Sequence, residues 1–157
     1  MFRPGAGYRA AYRLLDAIRR ELECRDAPAC QYDVIASQSD TQRGADLRGP
    51  GTQGRVWVRI VEESSPTLDY QCPPWLQVEL EAAVLRCHQA VAGDDQSLPG
   101  EEVYAAEMLR VEIDRQAVAA AAATVRRPRL TLTGWRPYGP QSVAIGGITT
   151  FRLRRAT

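Results

Sequence analysis

With 157 residues, 45% of them hydrophobic and 25% charged, the chain suits a single soluble domain that buries roughly two thirds of its unfolded surface around one core, and its composition excludes collagen, coiled coil and wholesale disorder. The net charge of +1 supplies no global field to draw in nucleic acid or anionic membrane. All twenty basic residues are arginine, the start at Met1 lacks an apolar signal core, and no apolar run approaches the roughly 18 residues of a membrane span, so a cytoplasmic protein without a membrane partner is expected.

Tyr8, Tyr12, Leu15, Ile18 and Leu22 recur at three- and four-residue steps, which predicts an amphipathic helix over about 5–23 with arginines on its other face. A short strand, 31–36, follows. Residues 37–54 are polar and rich in Gly and Pro; structureless loops of that length are uncommon in compact domains, and this one is expected to become ordered only against a neighbour. Within it, the stretch from Gly49 to Gly54 is no phosphate-binding loop, because Arg55 and Val56 stand where Lys and Ser or Thr are required and a strand begins where a helix should.

The segment from Arg55 to Glu62 alternates, with Val56, Val58 and Ile60 on one face and Trp57 and Arg59 on the other; residues 75–84 do the same, with Leu76, Val78, Leu80, Ala82 and Val84 inward. Joined through 64–74, the two form an antiparallel hairpin. Pairing centred on that connection sets Arg59 opposite Glu79 and Trp57 opposite Glu81 on an outer, solvated face. A turn at 93–100 leads to Glu101 and Glu102, acids at a helix start where the dipole favours them. That helix runs to about Val125, and six alanines between Ala117 and Ala123 make it thin enough for close approach by a sheet or a neighbouring subunit. A strand at 129–133, a turn carrying Trp135 and Tyr138, and a closing strand at 149–154 complete the chain. Their expected register sets Leu132 against Phe151, Leu130 against Leu153 and Arg129 against Arg154; the last is a like-charge pair that calls for an acidic partner or a solvated edge.

These elements describe an α+β domain spanning 1–157, a mostly antiparallel sheet of about five strands with two helices packed on one face. No catalytic signature accompanies them. Glu79 and Glu81, about 7 Å apart on one strand face, read as a solvated pair rather than an acid/base couple. His88, the single histidine, reads as a strand-end residue. Cys24, Cys30, Cys72 and Cys87 contain no Cys-x-x-Cys pair and read as reduced thiols, so neither metal nor cofactor is expected. The arginines at 126, 127, 129, 152, 154 and 155 have three readings: solvated surface, a salt-bridged subunit interface, or phosphate contact with DNA.

The sequence from Gly134 to Pro140, G-W-R-P-Y-G-P, the step from Val143 to Gly147, V-A-I-G-G, and the preceding alanine-rich helix resemble the tail-terminator (tail-completion) proteins of long-tailed actinobacterial phages. The resemblance covers roughly Arg55 to Thr157 and includes R-V-W-V-R-I-V and V-E-L-E-A-A-V-L-R-C. It departs at residues 142–147, S-V-A-I-G-G, where relatives often carry G-G-C-V-G-G. The resemblance implies a non-enzymatic virion protein of the tail and neck, assembled in the host cytoplasm. It would be one subunit of a six-membered ring that caps the tail tube and joins it to the head connector, with tail-tube protein, head-completion protein and transiting DNA as partners. A ring needs a head-to-tail interface. Glu79 and Glu81 against Arg129, Arg152, Arg154 and Arg155, with Trp135 and Tyr138 as anchors, are the expected complements. A neck or head-completion protein of the same virion and a small nucleic-acid-binding module are the alternatives.

Intact mass after alkylation in denaturant without reductant should show four adducts; two or none would reveal a disulfide.

Overall fold

The computed structural model describes residues 5–35, 54–64, 75–87, 101–141 and 144–156. The expected assembly loop, the connections at 65–74 and 88–100, Cys72, His88 and the side chains of Leu76, Cys87 and Arg155 lie outside the described part. Two helices and five strands run in the order α1 (Ala6–Cys24), β1 (Gln31–Ile35), β2 (Arg55–Ser64), β3 (Trp75–Cys87), α2 (Glu101–Thr124), β4 (Thr131–Gln141) and β5 (Ala144–Ala156). The sheet order is β1-β2-β3-β5-β4. β1 is parallel to β2, and every other pair is antiparallel. The fold is α+β, with a mixed, mostly antiparallel sheet.

Alternation sorts the central strands. Val56, Val58, Val78, Leu80, Ala82, Val84, Phe151 and Leu153 form the helix-side core with both helices. On α1 the buried stripe is Ala10, Ala11, Leu14, Ile18 and Leu22, whereas Tyr8 and Tyr12 are 39% and 58% exposed. The expected stripe was thus partly misplaced, because small alanines let α1 lie close and turn its tyrosines outward. Ala117, Ala121 and Ala122 of α2 enter the same core, so within the chain the thin helix serves helix–helix and helix–sheet contact. α1 ends without glycine. Asp26 takes a left-handed conformation (φ 57°), the Asp26 amide donates to Glu23 O and the Ala27 amide to Leu22 O, which closes the helix as a Schellman turn.

The face away from the helices is not uniformly solvated. Trp57, Ala83, Leu85, Ile148 and Ile35 are buried there as a second cluster with Tyr138 packed against it. Two registers also differ from expectation. Arg59 pairs with Glu81 and Trp57 with Ala83, a two-residue shift, and a bulge after Ile60 then sets Glu62 against Glu79. Parity survives a two-residue shift, so each side chain keeps its face while its neighbour changes. In the last hairpin Leu132 does pair with Phe151. Leu130 and Arg129, however, precede β4; Arg129 instead bridges Arg126 across a tight turn that contains a cis Arg127–Pro128 bond. Arg129 and Arg154 therefore do not pair within the β4–β5 ladder. β4 continues through the stretch read as a turn, with shifts after Leu132 and after Tyr138, and its prolines lie on an edge strand, where a missing amide is tolerated.

One ion pair joins the layers. Arg86 of β3, 2% exposed, donates from Nε and Nη2 to the Asp114 carboxylate of α2 at 2.9 and 2.8 Å, and from Nη1 and Nη2 to Pro28 O and Ala27 O at 3.0 and 2.8 Å. Asp114→Ala would leave a buried guanidinium without its counter-charge and should cost about 3–5 kcal/mol in urea unfolding, whereas the apolar double variant Arg86→Met/Asp114→Leu should be markedly less harmed. Equal losses in the two would show that the pair's charge is irrelevant.

Candidate functional site

The expected interface residues do not form one surface. Three groups separate on the far side of the sheet. At one end is the apolar cluster around Trp57. Next to it, Glu81 is 5% exposed and held from both sides: Arg59 reaches its Oε2 from Nε and Nη2 at 2.7 Å, and Arg136 Nη1 reaches its Oε1 at 3.0 Å. Arg59 also lies 5.9 Å from the Trp57 ring centre, within cation–π range. A nearly buried carboxylate with both oxygens engaged is an internal tie between β2, β3 and β4, where a solvated outer-face residue was expected. Neighbour-poor solvated carboxylates cannot be told from buried ones by alternation alone; the register shift, invisible in the sequence, decided it.

The charged end carries Glu79, Arg152 and Arg154. Glu79 is the cross-strand partner of Arg152, Gln77 of Arg154 and Leu76 of Arg155. Alternation had correctly put Arg152 and Arg154 on one exposed face, but the acidic residue expected on the next subunit stands beside Arg152 in the same sheet. Opposite charges thus stand directly across from each other at this position within one sheet.

Trp135 and Tyr138 sit within β4, half-buried, and point to opposite faces. Trp135 lies on the helix side, where Arg115 of α2 stacks 4.7 Å from its ring centre, and Tyr138 lies against the Trp57 cluster. The two glycines of the V-A-I-G-G step make these placements possible. A Cβ on Gly147 would come within 2.5 Å of the Trp135 indole nitrogen, and one on Gly146 within 2.0 Å of Val84 O. The motif that carries the family resemblance is thus a packing device: bare backbone beneath an indole and beside β3.

Two surfaces were missed in the sequence reading. The N-terminal half of α2 is largely exposed, with Met108 at 54%, Leu109 at 62% and Ile113 at 37%. Its cause is geometric. Arg13 of α1 donates to Arg127 O beyond the end of α2, while the turn after α1 shares Arg86 with Asp114 at mid-helix. The helices therefore run in opposite directions, and α2 continues past the end of α1. At the opposite end of α2, a cleft of about 520 Å³ opens between it and α1, lined by Arg13, Arg20, Cys24, Val125, Arg126 and Arg127 among others. Length against a neighbouring element, not periodicity, reveals the first surface; the excess of α2 (24 residues) over α1 (19 residues) was the one signal available.

Among the described residues no group of three or more His, Cys, Asp or Glu is arranged to hold a metal ion, and no helix is long and apolar enough to cross a membrane. Cys24 and Cys30 are exposed thiols outside any disulfide. No protein-family model and no curated protein matches the chain. Among solved structures, a crystal structure from Akkermansia muciniphila is similar over 97% of this chain and 77% of that chain, at 9% identity and a TM-score of 0.33; a likeness of that degree carries no functional argument.

The contrast between the two glutamates is measurable. Glu81→Gln should cost roughly 2–3 kcal/mol in chemical denaturation, because two guanidinium groups lose their counter-charge in a buried setting, while Glu79→Gln should stay within about 0.5 kcal/mol. Similar values for both would mean that Glu81 is as solvated as Glu79.

Proposed function

We propose that the chain is a structural virion subunit, a tail terminator that assembles into a ring, caps the tail tube and joins it to the head connector. The observation that carries this reading is the projecting half of α2. Met108, Leu109 and Ile113 stand out from a helix whose other half is fully engaged in the core, and a contiguous apolar surface on a small domain marks a place where another protein sits. The same segment belongs to the part of the sequence that resembles the tail-terminator proteins, as do the β4 and β5 motifs whose glycines seat Trp135. A ring-forming subunit needs two different patches, each meeting the other on the next copy, and it needs no catalytic residues. Tail-tube protein on one side of the ring and head-completion protein on the other are the external partners of this assignment, with DNA passing through the lumen. The molecule is a scaffold in this reading: rigid sheet, engaged helix halves, and one helix half left for assembly.

Purified protein at tens of micromolar should form annular particles of uniform mass in negative-stain images and should cap isolated tail tubes. A protein that stays monomeric sinks the assignment. Rings that bind head connectors but not tail tubes would move it to the neck of the virion, and DNA affinity falling steeply with salt would favour a nucleic-acid module instead.

A further inference from the structure

We infer that the ring contact is made end to end along α2: the acidic first turn and exposed apolar flank of α2 in one copy enter the arginine-lined cleft at the C-terminal end of α2 in the next. The inference rests on the ring reading above and specifies the partner as a second copy of this chain.

The two surfaces lie at opposite ends of one rod. At about 1.5 Å per residue, the 24 residues of α2 span roughly 36 Å. Glu101 and Glu102 occupy its first turn and are exposed, with Met108 and Leu109 about two turns behind them. Arg126 and Arg127 follow its last turn, are also exposed, and line the cleft with Arg13, Arg20 and the carboxylates Asp16 and Glu21, of which Glu21 is paired with Arg25 outside the lining. Arg20 is paired with Asp16, and Arg13 is committed to Arg127 O. Among the described residues neither Arg126 nor Arg127 has a carboxylate partner, nor do Glu101 and Glu102.

The helix dipole alone favours acids at the first turn and cations at the last, so charge placement by itself would be ordinary. It does not account for the apolar side chains exposed directly behind the acids, nor for an open cleft of about 520 Å³ at the basic end, a volume that receives several side chains. The unpaired charges at the two ends are opposite in sign, and the ends of one rod cannot meet within a chain. Each copy therefore presents one plug and one socket. Such a contact is heterologous and propagates from copy to copy until rotation closes it. It also supplies an acidic partner other than Glu81, which is engaged by Arg59 and Arg136 inside its own sheet.

The test is charge reversal at each end, read by sedimentation velocity on the full chain. Arg126→Glu/Arg127→Glu and, separately, Glu101→Arg/Glu102→Arg should each weaken self-association on the order of a hundredfold, since like charges then face each other across the contact. All four substitutions in one chain should restore assembly, and so should an equimolar mixture of the two reversed proteins. Assembly of the unaltered chain should weaken as salt shortens the screening length to about 3 Å near 1 M. These positions are exposed, so circular dichroism should report unchanged helicity and melting. Unaltered ring mass in both reversals would overturn the inference while leaving the ring reading intact. Dissociation without rescue by the fourfold variant or the mixture would overturn it too, because the charges would then face other partners. A monomeric unaltered chain would bring down the ring reading, and this contact with it.

Discussion

Arg86 brings a permanent charge into the centre of the domain, and four hydrogen bonds tie its strand, β3, to two segments distant in sequence, the turn after α1 and the middle of α2. A guanidinium removed from water is tolerable only when nearly all of its donors are satisfied and its charge is matched. The geometry is therefore all-or-none. With Asp114 in place, α2 is held at one height on the sheet; with Ala27 O and Pro28 O in place, so is the end of α1. The overhang of α2 beyond α1 follows directly, and with it the exposure of Met108, Leu109 and Ile113.

Around that tie the sheet divides its two faces by different physics. The helix side is closed by small residues: Ala10, Ala11 and Ala17 of α1 and Ala117, Ala121 and Ala122 of α2 approach the valines and leucines of β2 and β3, which suits close packing with little side-chain entropy to lose. The far side runs from apolar to charged. Trp57, Leu85 and Ile148 are buried at one end, Glu79 and Arg152 pair at the other, and Glu81 sits between, clamped by Arg59 and Arg136. The register that sets Glu81 opposite Arg59 makes it the buried tie and leaves Glu79 across from Arg152.

On the far face Glu81 is held by Arg59 and Arg136, and the aromatic residues of β4 are engaged in packing, Trp135 over Gly147 and Tyr138 over the second cluster. The proposed ring contact therefore uses the two ends of α2, where among the described residues Glu101 and Glu102 at one end and Arg126 and Arg127 at the other are exposed and opposite in charge.

Sequence alone determined the element types, the α+β class and most strand faces, because apolar alternation and helical periodicity depend on local geometry that tertiary context does not alter. Leu132 against Phe151 was legible for the same reason: a short hairpin leaves little freedom in register. The position of β3 against β2 was not, since a bulge and a long connection change the register without changing parity. Nor was the exchange of Tyr8 and Tyr12 for Ala10 and Ala11 on the buried stripe of α1, because alanine carries too little hydrophobic signal to mark a face although its small size is what lets two helices and a sheet meet. Only the tertiary structure decided which carboxylate was buried, which arginines kept solvent, and how far α2 outruns α1, since each depends on the relative heights of elements far apart in the chain, set by the bonds that Arg86 makes among them.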